Sequence, residues 1–181
     1  MLVIRDVTAD RKAEETLRRS EEKFRTLFDS SGDAIFVHDM DGNFLDVNRQ
    51  TCKRLGYSRE EFMGMSPMDI DSPEYKSVAL KRLDELRHKD YIFFETEHMR
   101  TDGSKVPTEI TARRIEYENR TAVLATSRNI TERKKAEEAS KEREQLLNSM
   151  LQGIKAAFFI VDKESLAIVE PNQMSQELIG I

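Results

Sequence analysis

Arg128-Asn-Ile-Thr-Glu-Arg-Lys-Lys-Ala-Glu-Glu138 is typical of a β-strand that ends by continuing directly into a charged helix. The same pattern opens the sequence as Arg5-Asp-Val-Thr-Ala-Asp-Arg-Lys-Ala-Glu-Glu15, and the two copies are offset by 123 residues. A strand-to-helix junction that recurs at a fixed distance predicts a domain repeat. We therefore expect one complete domain between the two junctions, with parts of neighbouring repeats on either side.

The composition indicates a globular protein with many solvent-exposed charges. Of the 181 residues, 38% are hydrophobic and 35% are charged, and the formal net charge is −5. This balance argues against a general nucleic-acid binder, which would carry a basic face. No apolar run approaches the ~20 residues that a membrane span needs, and the single cysteine, Cys52, fits a reducing compartment. We therefore expect a cytoplasmic protein with no nucleic-acid partner and no membrane segment in this chain.

Hydrophobic periodicity and turn residues predict the order of strands and helices. Two short strands surround the Asp-Gly-Asn turn at residues 41–43, and several helices follow, the longest beginning at Pro73. The residues expected on the apolar side of that helix are Val78, Leu80, Leu83 and Leu86. Three consecutive strands then run from Tyr91 to Ile130. The expected fold is α+β, with a five-stranded antiparallel sheet, small helices on one face, and flanking N- and C-terminal linker helices.

The repeat also sets the expected domain limits. Ala157-Phe-Phe-Ile-Val-Asp162 matches Ala34-Ile-Phe-Val-His-Asp39 at the same offset of 123 residues. This later copy ends before the three C-terminal strands, so we expect its core to be incomplete. The expected parts are residues 1–20 as the end of a preceding repeat with its linker helix, 21–130 as the complete domain, 131–152 as a linker helix, and 153–181 as the truncated start of the next repeat.

Three motifs of the expected domain resemble one known family. Asn48-Arg-Gln-Thr-Cys-Lys-Arg-Leu-Gly-Tyr-Ser-Arg-Glu-Glu-Phe-Met-Gly64 is similar to the Asn…Leu-Gly-Tyr-Ser…Glu-Glu-hydrophobic-x-Gly signature of PAS domains of the S-box type. Met99-Arg-Thr-Asp-Gly-Ser-Lys-Val-Pro107 resembles their basic-Asp-Gly-Ser hairpin, and Arg128-Asn-Ile-Thr-Glu-Arg-Lys134 resembles their closing junction, the PAC motif. Asn129 departs from the Asp usual there; it can form hydrogen bonds but no ion pair.

The resemblance implies a PAS fold and a sensory or dimerisation module. Such domains occur in tandem in sensor histidine kinases of two-component phosphorelays, in diguanylate cyclases and in related signalling proteins. The implied partners are adjacent PAS domains and an output kinase or cyclase domain. A ligand or cofactor can lie between the sheet and the small helices, and a change there is passed to the exit helix. The sequence holds no catalytic motif, so we expect no enzyme activity within this chain.

The strand pattern identifies the residues that would line such a ligand pocket. Alternate residues of a strand share one face, which places one set of side chains on the inner face of the sheet. The inward candidates are Phe36, His38, Ile92, Phe94, Thr96 and His98. The candidates that close the pocket from the helical side are Cys52 and Leu55. All eight are expected to be core residues in the first place and ligand contacts only in the second. The pocket is expected either to be empty or to hold an unidentified small molecule.

A haem is the one specific cofactor with a candidate ligand. His88 lies at the C-terminal end of the helix that begins at Pro73, roughly where haem-binding, oxygen-sensing PAS domains carry their proximal histidine. Its neighbourhood, Arg87-His-Lys-Asp90, is polar, whereas a haem ligand needs an apolar pocket. No two histidines have the close spacing of metal ligands, so we predict no metal site.

Two further features predict how a signal leaves the domain. Asn129 and Thr131 form the candidate output junction, where the last strand meets the exit helix. Ala13, Leu17 and Phe24 lie on a heptad seam of the first helix, which predicts a homodimer through the linker helices. The leading hypothesis is a signal-input or relay module, and the alternative is a ligand-free dimerisation spacer. A partly polar cavity would favour the first, and a core closed by Met and Phe the second.

Overall fold

The structure, a computed structural model, describes residues 8–153, 159–161, 163–165 and 168–171. The chain divides into two compact units, Met1–Thr131 and Glu132–Ile181. The first includes residues 21–130, where the sequence predicts the complete domain, and each unit is described by itself.

A five-stranded antiparallel sheet forms the centre of the first unit, as the sequence predicts. Its strands are β1 (Ala34–Asp39), β2 (Phe44–Val47), β3 (Tyr91–Met99), β4 (Lys105–Tyr117) and β5 (Arg120–Asn129). Their spatial order is β2-β1-β5-β4-β3, so the last strand lies beside the first, in the middle of the sheet. All neighbouring pairs are antiparallel. The strand that leads out of the domain is therefore bonded on both sides to the sheet.

Five helices accompany this sheet within the described residues of the first unit. They are α1 (Thr8–Ser30), α2 (Arg49–Leu55), α3 (Arg59–Phe62), α4 (Pro67–Ile70) and α5 (Pro73–His88). Local sequence explains several of their ends. Ser58 and Glu61 form a reciprocal capping box at the start of α3, and Gly56 adopts φ 89° after α2, a conformation that favours glycine.

The core lies between one face of the sheet and the small helices. Sheet residues such as Phe36, Ile92 and Ile110 are buried in one cluster with Leu55 of α2 and Phe62 of α3. Burial of each such side chain stabilises the fold by about 1.5–3 kcal/mol. The predicted α+β architecture, with helices on one face, is confirmed.

The apolar side of α5 differs in part from the prediction. Ala79 and Leu86 are buried and Leu83 is partly buried, whereas Leu80 is 62% exposed. Residues 79, 82, 83 and 86 follow the i, i+3, i+4, i+7 spacing of one helical face, and residue 80 lies off it. The buried stripe of α5 therefore includes Arg82.

The second unit contains α6 (Thr131–Gly153), which begins at its boundary, and two short strands. β6 (Phe159–Val161) pairs with β7 (Ile168–Pro171) in an antiparallel ladder. The proposed domain limits at residues 20, 130 and 152 stay predictions. Within the described residues, no helix combines the length and the apolar character needed to cross a membrane.

Candidate functional site

A cavity of about 50 Å³ lies between the inner face of the sheet and helices α4 and α5. Six of the eight sequence-derived pocket residues line it: Phe36, His38, Ile92, Phe94, Thr96 and His98. The other two do not. Leu55 lies within the hydrophobic core, and Cys52 packs against that core from the same helix. The helical wall comes instead from the segment that contains α4 and α5.

The strand register explains why a hollow exists here. Phe36 of β1 lies opposite Ala125 of β5, Ala125 opposite Ala112 of β4, and Ala112 opposite Ile92 of β3. All four residues line the cavity. Two alanines between larger side chains leave space that the helices do not fill. Such a space is unusual, because close-packed interiors have few voids larger than a water molecule.

A buried carboxylate, which the sequence did not single out, lies at one side of the cavity. Asp71 follows α4 and is 5% exposed. Thr96 donates a hydrogen bond from Oγ1 to Asp71 Oδ1 at 3.0 Å, and Arg82 Nη1 lies 3.7 Å from Asp71 Oδ2. Burial raises the pKa of Asp71 to about 6, against the opposing effects of Thr96 and Arg82.

Arg82 is a second charged residue at the cavity that the sequence did not single out. Its guanidinium carbon lies 3.8 Å from the centroid of the Phe94 ring, and Nη2 donates to the Glu95 carbonyl at 3.3 Å. Nη1 is buried and has no hydrogen-bond partner. Burial lowers the pKa of Arg82, but a guanidinium remains protonated in proteins. The signal that could have found it is an arginine inside the buried stripe of α5.

Two neutral histidines also belong to the polar lining. Burial, with the nearby cations Arg54 and Arg82, lowers the pKa of His98 to about 3. Its 3.8 Å approach to Asp71 is therefore not an ion pair near neutral pH. Burial also lowers the pKa of His38. His38 Nδ1 lies 2.8 Å from the Asp39 carbonyl, which can only accept, so Nδ1 carries the proton and Nε2 is an acceptor.

The arrangement suits binding of a small polar molecule. The cavity combines one carboxylate, one guanidinium, the hydroxyl residues Ser66 and Thr96 and two neutral imidazoles with apolar walls, a mixture typical of ligand sites. Within the part of the chain that the structure describes, no group of three His, Cys, Asp or Glu residues could hold a metal ion.

Haem does not fit these residues. His88 is exposed at the end of α5 and does not line the cavity. The space of about 50 Å³ is also far smaller than a porphyrin would need. The haem interpretation of His88 therefore has no support from this geometry.

The predicted output junction is held by several hydrogen bonds. Asn129 Oδ1 accepts from Thr131 N at 2.9 Å and from Thr131 Oγ1 at 2.6 Å. Ile130 is buried, and its N–H donates to the Pro107 carbonyl at 3.0 Å. Arg128 pairs with Asp33 at 3.2 Å. The uncharged Asn129 side chain thus caps the first residue of α6 through hydrogen bonds.

The chain is similar to known signalling proteins. The family model of the PAS domain matches residues 32–132. Over 131 residues the chain is 35% identical to the methyl sulfide methyltransferase-associated sensor of Methanosarcina acetivorans, which covers 72% of this chain and 13% of that protein. Over 184 residues it is 24% identical to sporulation kinase E of Bacillus subtilis, covering 100% of this chain and 24% of the kinase. The chain thus spans less than a quarter of the length of either relative.

The fold has a similar solved structure. The PAS domain of an HTR-like protein from Haloarcula marismortui matches with a TM-score of 0.62 and 30% sequence identity. This match covers 66% of the present chain and 99% of the solved one.

Proposed function

The chain belongs to the PAS domain family, and we propose on that basis that its domain binds a small molecule in the cavity and relays binding to α6. The relatives are a sensor and a kinase, which supports a sensory role in signal transduction. We propose that the output is a kinase or cyclase domain of a longer protein, with adjacent PAS domains as further partners.

The observation that carries the proposal is a group of polar side chains buried around a hollow. Asp71, Thr96 and His98 are all buried, and Arg82 Nη1 has no hydrogen-bond acceptor, with Asp71 Oδ2 at 3.7 Å as its ion-pair partner. A buried donor without a partner costs about 1–3 kcal/mol, and a structural spacer gains nothing from that cost. A bound molecule would supply the missing partner.

The route to the output follows β5. Ala125 lines the cavity, and β5 continues from it to Asn129, which Ile130 connects to the first residue of α6. Arg54 of α2 also donates to the Ser127 carbonyl at 2.6 Å, so the end of β5 is bonded to a helix beside the core. For a signal to pass, the ligand must bind two arrangements of this strand with different affinity.

Filling the cavity tests the relay without knowledge of the ligand. Ala125→Val places extra methyl groups in the cavity, and we expect several-fold changes in amide hydrogen exchange at residues 128–135. Ala122→Val is the matched control, because Ala122 lies in the same strand and is fully buried but does not line the cavity. The relay is wrong if both variants alter these amides equally or neither alters them.

The alternative function is a ligand-free dimerisation spacer. The small size of the cavity favours it, as do the exposed apolar residues of α1, which are Leu17, Phe24 and Leu27. We propose a homodimer through the linker helices in either case. Native mass spectrometry separates the two functions, because a sensor retains a bound small molecule in some preparations or acquires one on titration, whereas a spacer gives only the mass of the protein.

A further inference from the structure

We propose that the cavity binds a short-chain carboxylate such as acetate or propionate, whose carboxylate accepts a hydrogen bond from the unpartnered Nη1 of Arg82. The inference rests on the proposed sensory function and names the chemical class of its ligand. It also includes the uptake of one proton from solvent by Asp71 when the ligand binds as an anion.

The guanidinium of Arg82 is fixed in place and lacks one acceptor. Its stacking on Phe94 and its hydrogen bond to the Glu95 carbonyl fix its plane. Nη1 lies 3.7 Å from the nearest oxygen of Asp71, beyond hydrogen-bond distance. Carboxylates match the donor geometry of arginine, and their charge-assisted hydrogen bonds are stronger than neutral ones. A carboxylate in the cavity would therefore supply a hydrogen-bond acceptor for this buried donor.

The size and walls of the cavity limit the rest of the ligand. A space of about 50 Å³ corresponds to roughly three to five water molecules, since one needs about 10–15 Å³. An acid with about four or five non-hydrogen atoms fits this space, and a phosphate ester or sugar does not. Phe36, Leu83 and Ile110 give the cavity apolar walls, which suit a methyl or ethyl group.

Asp71 makes binding of an anion depend on a proton. The groups that face Asp71 are Arg82 and Lys76 from α5 and Thr96 and neutral His98 from β3. Neutral His38 faces the cavity from β1. A second carboxylate beside Asp71 repels its charge, and a carboxyl with a pKa of about 6 needs little free energy to accept a proton near neutral pH. The protonated Asp71 can then share its O–H with the ligand.

Titration followed by NMR chemical shifts tests the inference on the full chain. We expect propionate to shift the amide signals of Thr96 and His98, with an affinity that weakens about tenfold from pH 6.5 to 7.5, because one proton is bound with the ligand. Propionamide, which has the same shape without the charge, should bind much more weakly.

Three variants separate the roles of the residues. Arg82→Met should abolish the shifts caused by propionate, and Arg87→Met, on the exposed face of the same helix, should leave them unchanged. Asp71→Asn should retain binding while its affinity becomes independent of pH in this range. Circular dichroism shows whether each variant folds. If Arg82→Met does not fold, Asp71→Asn still tests the inference.

Each other outcome overturns a defined part of the inference. Equal binding of propionamide and propionate would show a site for neutral ligands, and no shift by either would reject the carboxylate class. An affinity for propionate that does not change with pH in the unmodified chain would reject proton uptake. Failure of the ligand class leaves the relay intact if Ala125→Val still alters exchange at residues 128–135. If propionate binds but hydrogen exchange at residues 128–135 does not change, the relay is wrong and the ligand class stands.

Discussion

At the scale of single residues, burial shifts the pKa values of Asp71 and His98 in opposite directions. His98 Nε2 lies 3.8 Å from Asp71 Oδ1. Burial penalises the charged form of each group, so it raises the pKa of Asp71 to about 6 and lowers the pKa of His98 to about 3. The protonated Asp71 contributes to the free energy of unfolding at pH values below its pKa in the unfolded chain, near 4. This contribution is lost as the pH rises through its pKa in the folded protein, about 6. The neutral His98 contributes to the free energy of unfolding at pH values above its pKa in the unfolded chain, about 6.5. This contribution is lost as the pH falls towards its pKa in the folded protein, about 3. Between pH 4 and 6 the two effects oppose each other.

Replacing one of the two residues should leave the pH dependence of stability that the other one causes. In Asp71→Asn, the free energy of unfolding should rise with pH between 4.5 and 6 more steeply than in the unmodified chain, by up to about 1.4 kcal/mol per pH unit. His98→Gln should change the slope in the opposite direction. Urea denaturation at several pH values measures both slopes. Parallel curves for the three proteins would mean that neither group has a shifted pKa.

At the scale of secondary structure elements, Asn48 joins three of them through one buried side chain. Its Oδ1 accepts from Ile35 N of β1 at 2.9 Å and caps α2 by accepting from Thr51 N at 2.9 Å. Its Nδ2 donates to the Phe28 carbonyl of α1 and to the Asp33 carbonyl, both at 3.0 Å. This asparagine supplies two donors and an acceptor at one fully buried point.

Asn48→Ala should therefore destabilise the domain by about 4 kcal/mol, since several buried polar groups lose their partners at once. Asn43→Ala is the control, because the exposed Asn43 side chain donates a single hydrogen bond to Asp39, at 2.8 Å. We expect this change to cost less than about 1 kcal/mol. Urea unfolding measures both. If Asn48→Ala were no more destabilising than the control, the side chain would not join the three elements.

At the scale of the whole molecule, exposed apolar side chains remain on the linker helices. Leu17 is 61% exposed on α1, and Leu146, Leu147 and Met150 are exposed on α6. A single exposed leucine needs no explanation, but a heptad series on a helix indicates pairing with another helix. The heptad series of α1 contains Ala13, Leu17 and Phe24.

Leu17→Asp should weaken self-association of the chain, measured by sedimentation velocity over a range of protein concentrations. Leu80→Asp is a matched control, because Leu80 is exposed to the same degree, 62%, on α5. Neither leucine contributes to the core, so both variants should fold. If both variants associate like the unmodified chain, the first helix does not form the dimer interface.

The sequence by itself determined the repeat, the sheet and six of the cavity residues. These features depend on local rules: a strand alternates its faces with a period of two, and a junction motif records where a strand becomes a helix. Phe36 and His98 could therefore be placed on the inner face without any knowledge of what covers them.

Only the tertiary structure decided what lies opposite that face. Asp71 and Arg82 enter the cavity because α4 and α5, and not α2, pack above the two alanines of the sheet. That choice depends on how distant elements pack, so Cys52 and Leu55 were equally reasonable from sequence but do not line the space. The unpartnered Nη1 of Arg82 and the raised pKa of Asp71 likewise arise from all of their neighbours together. Burial is a sum over residues far apart in the chain, which no local pattern contains.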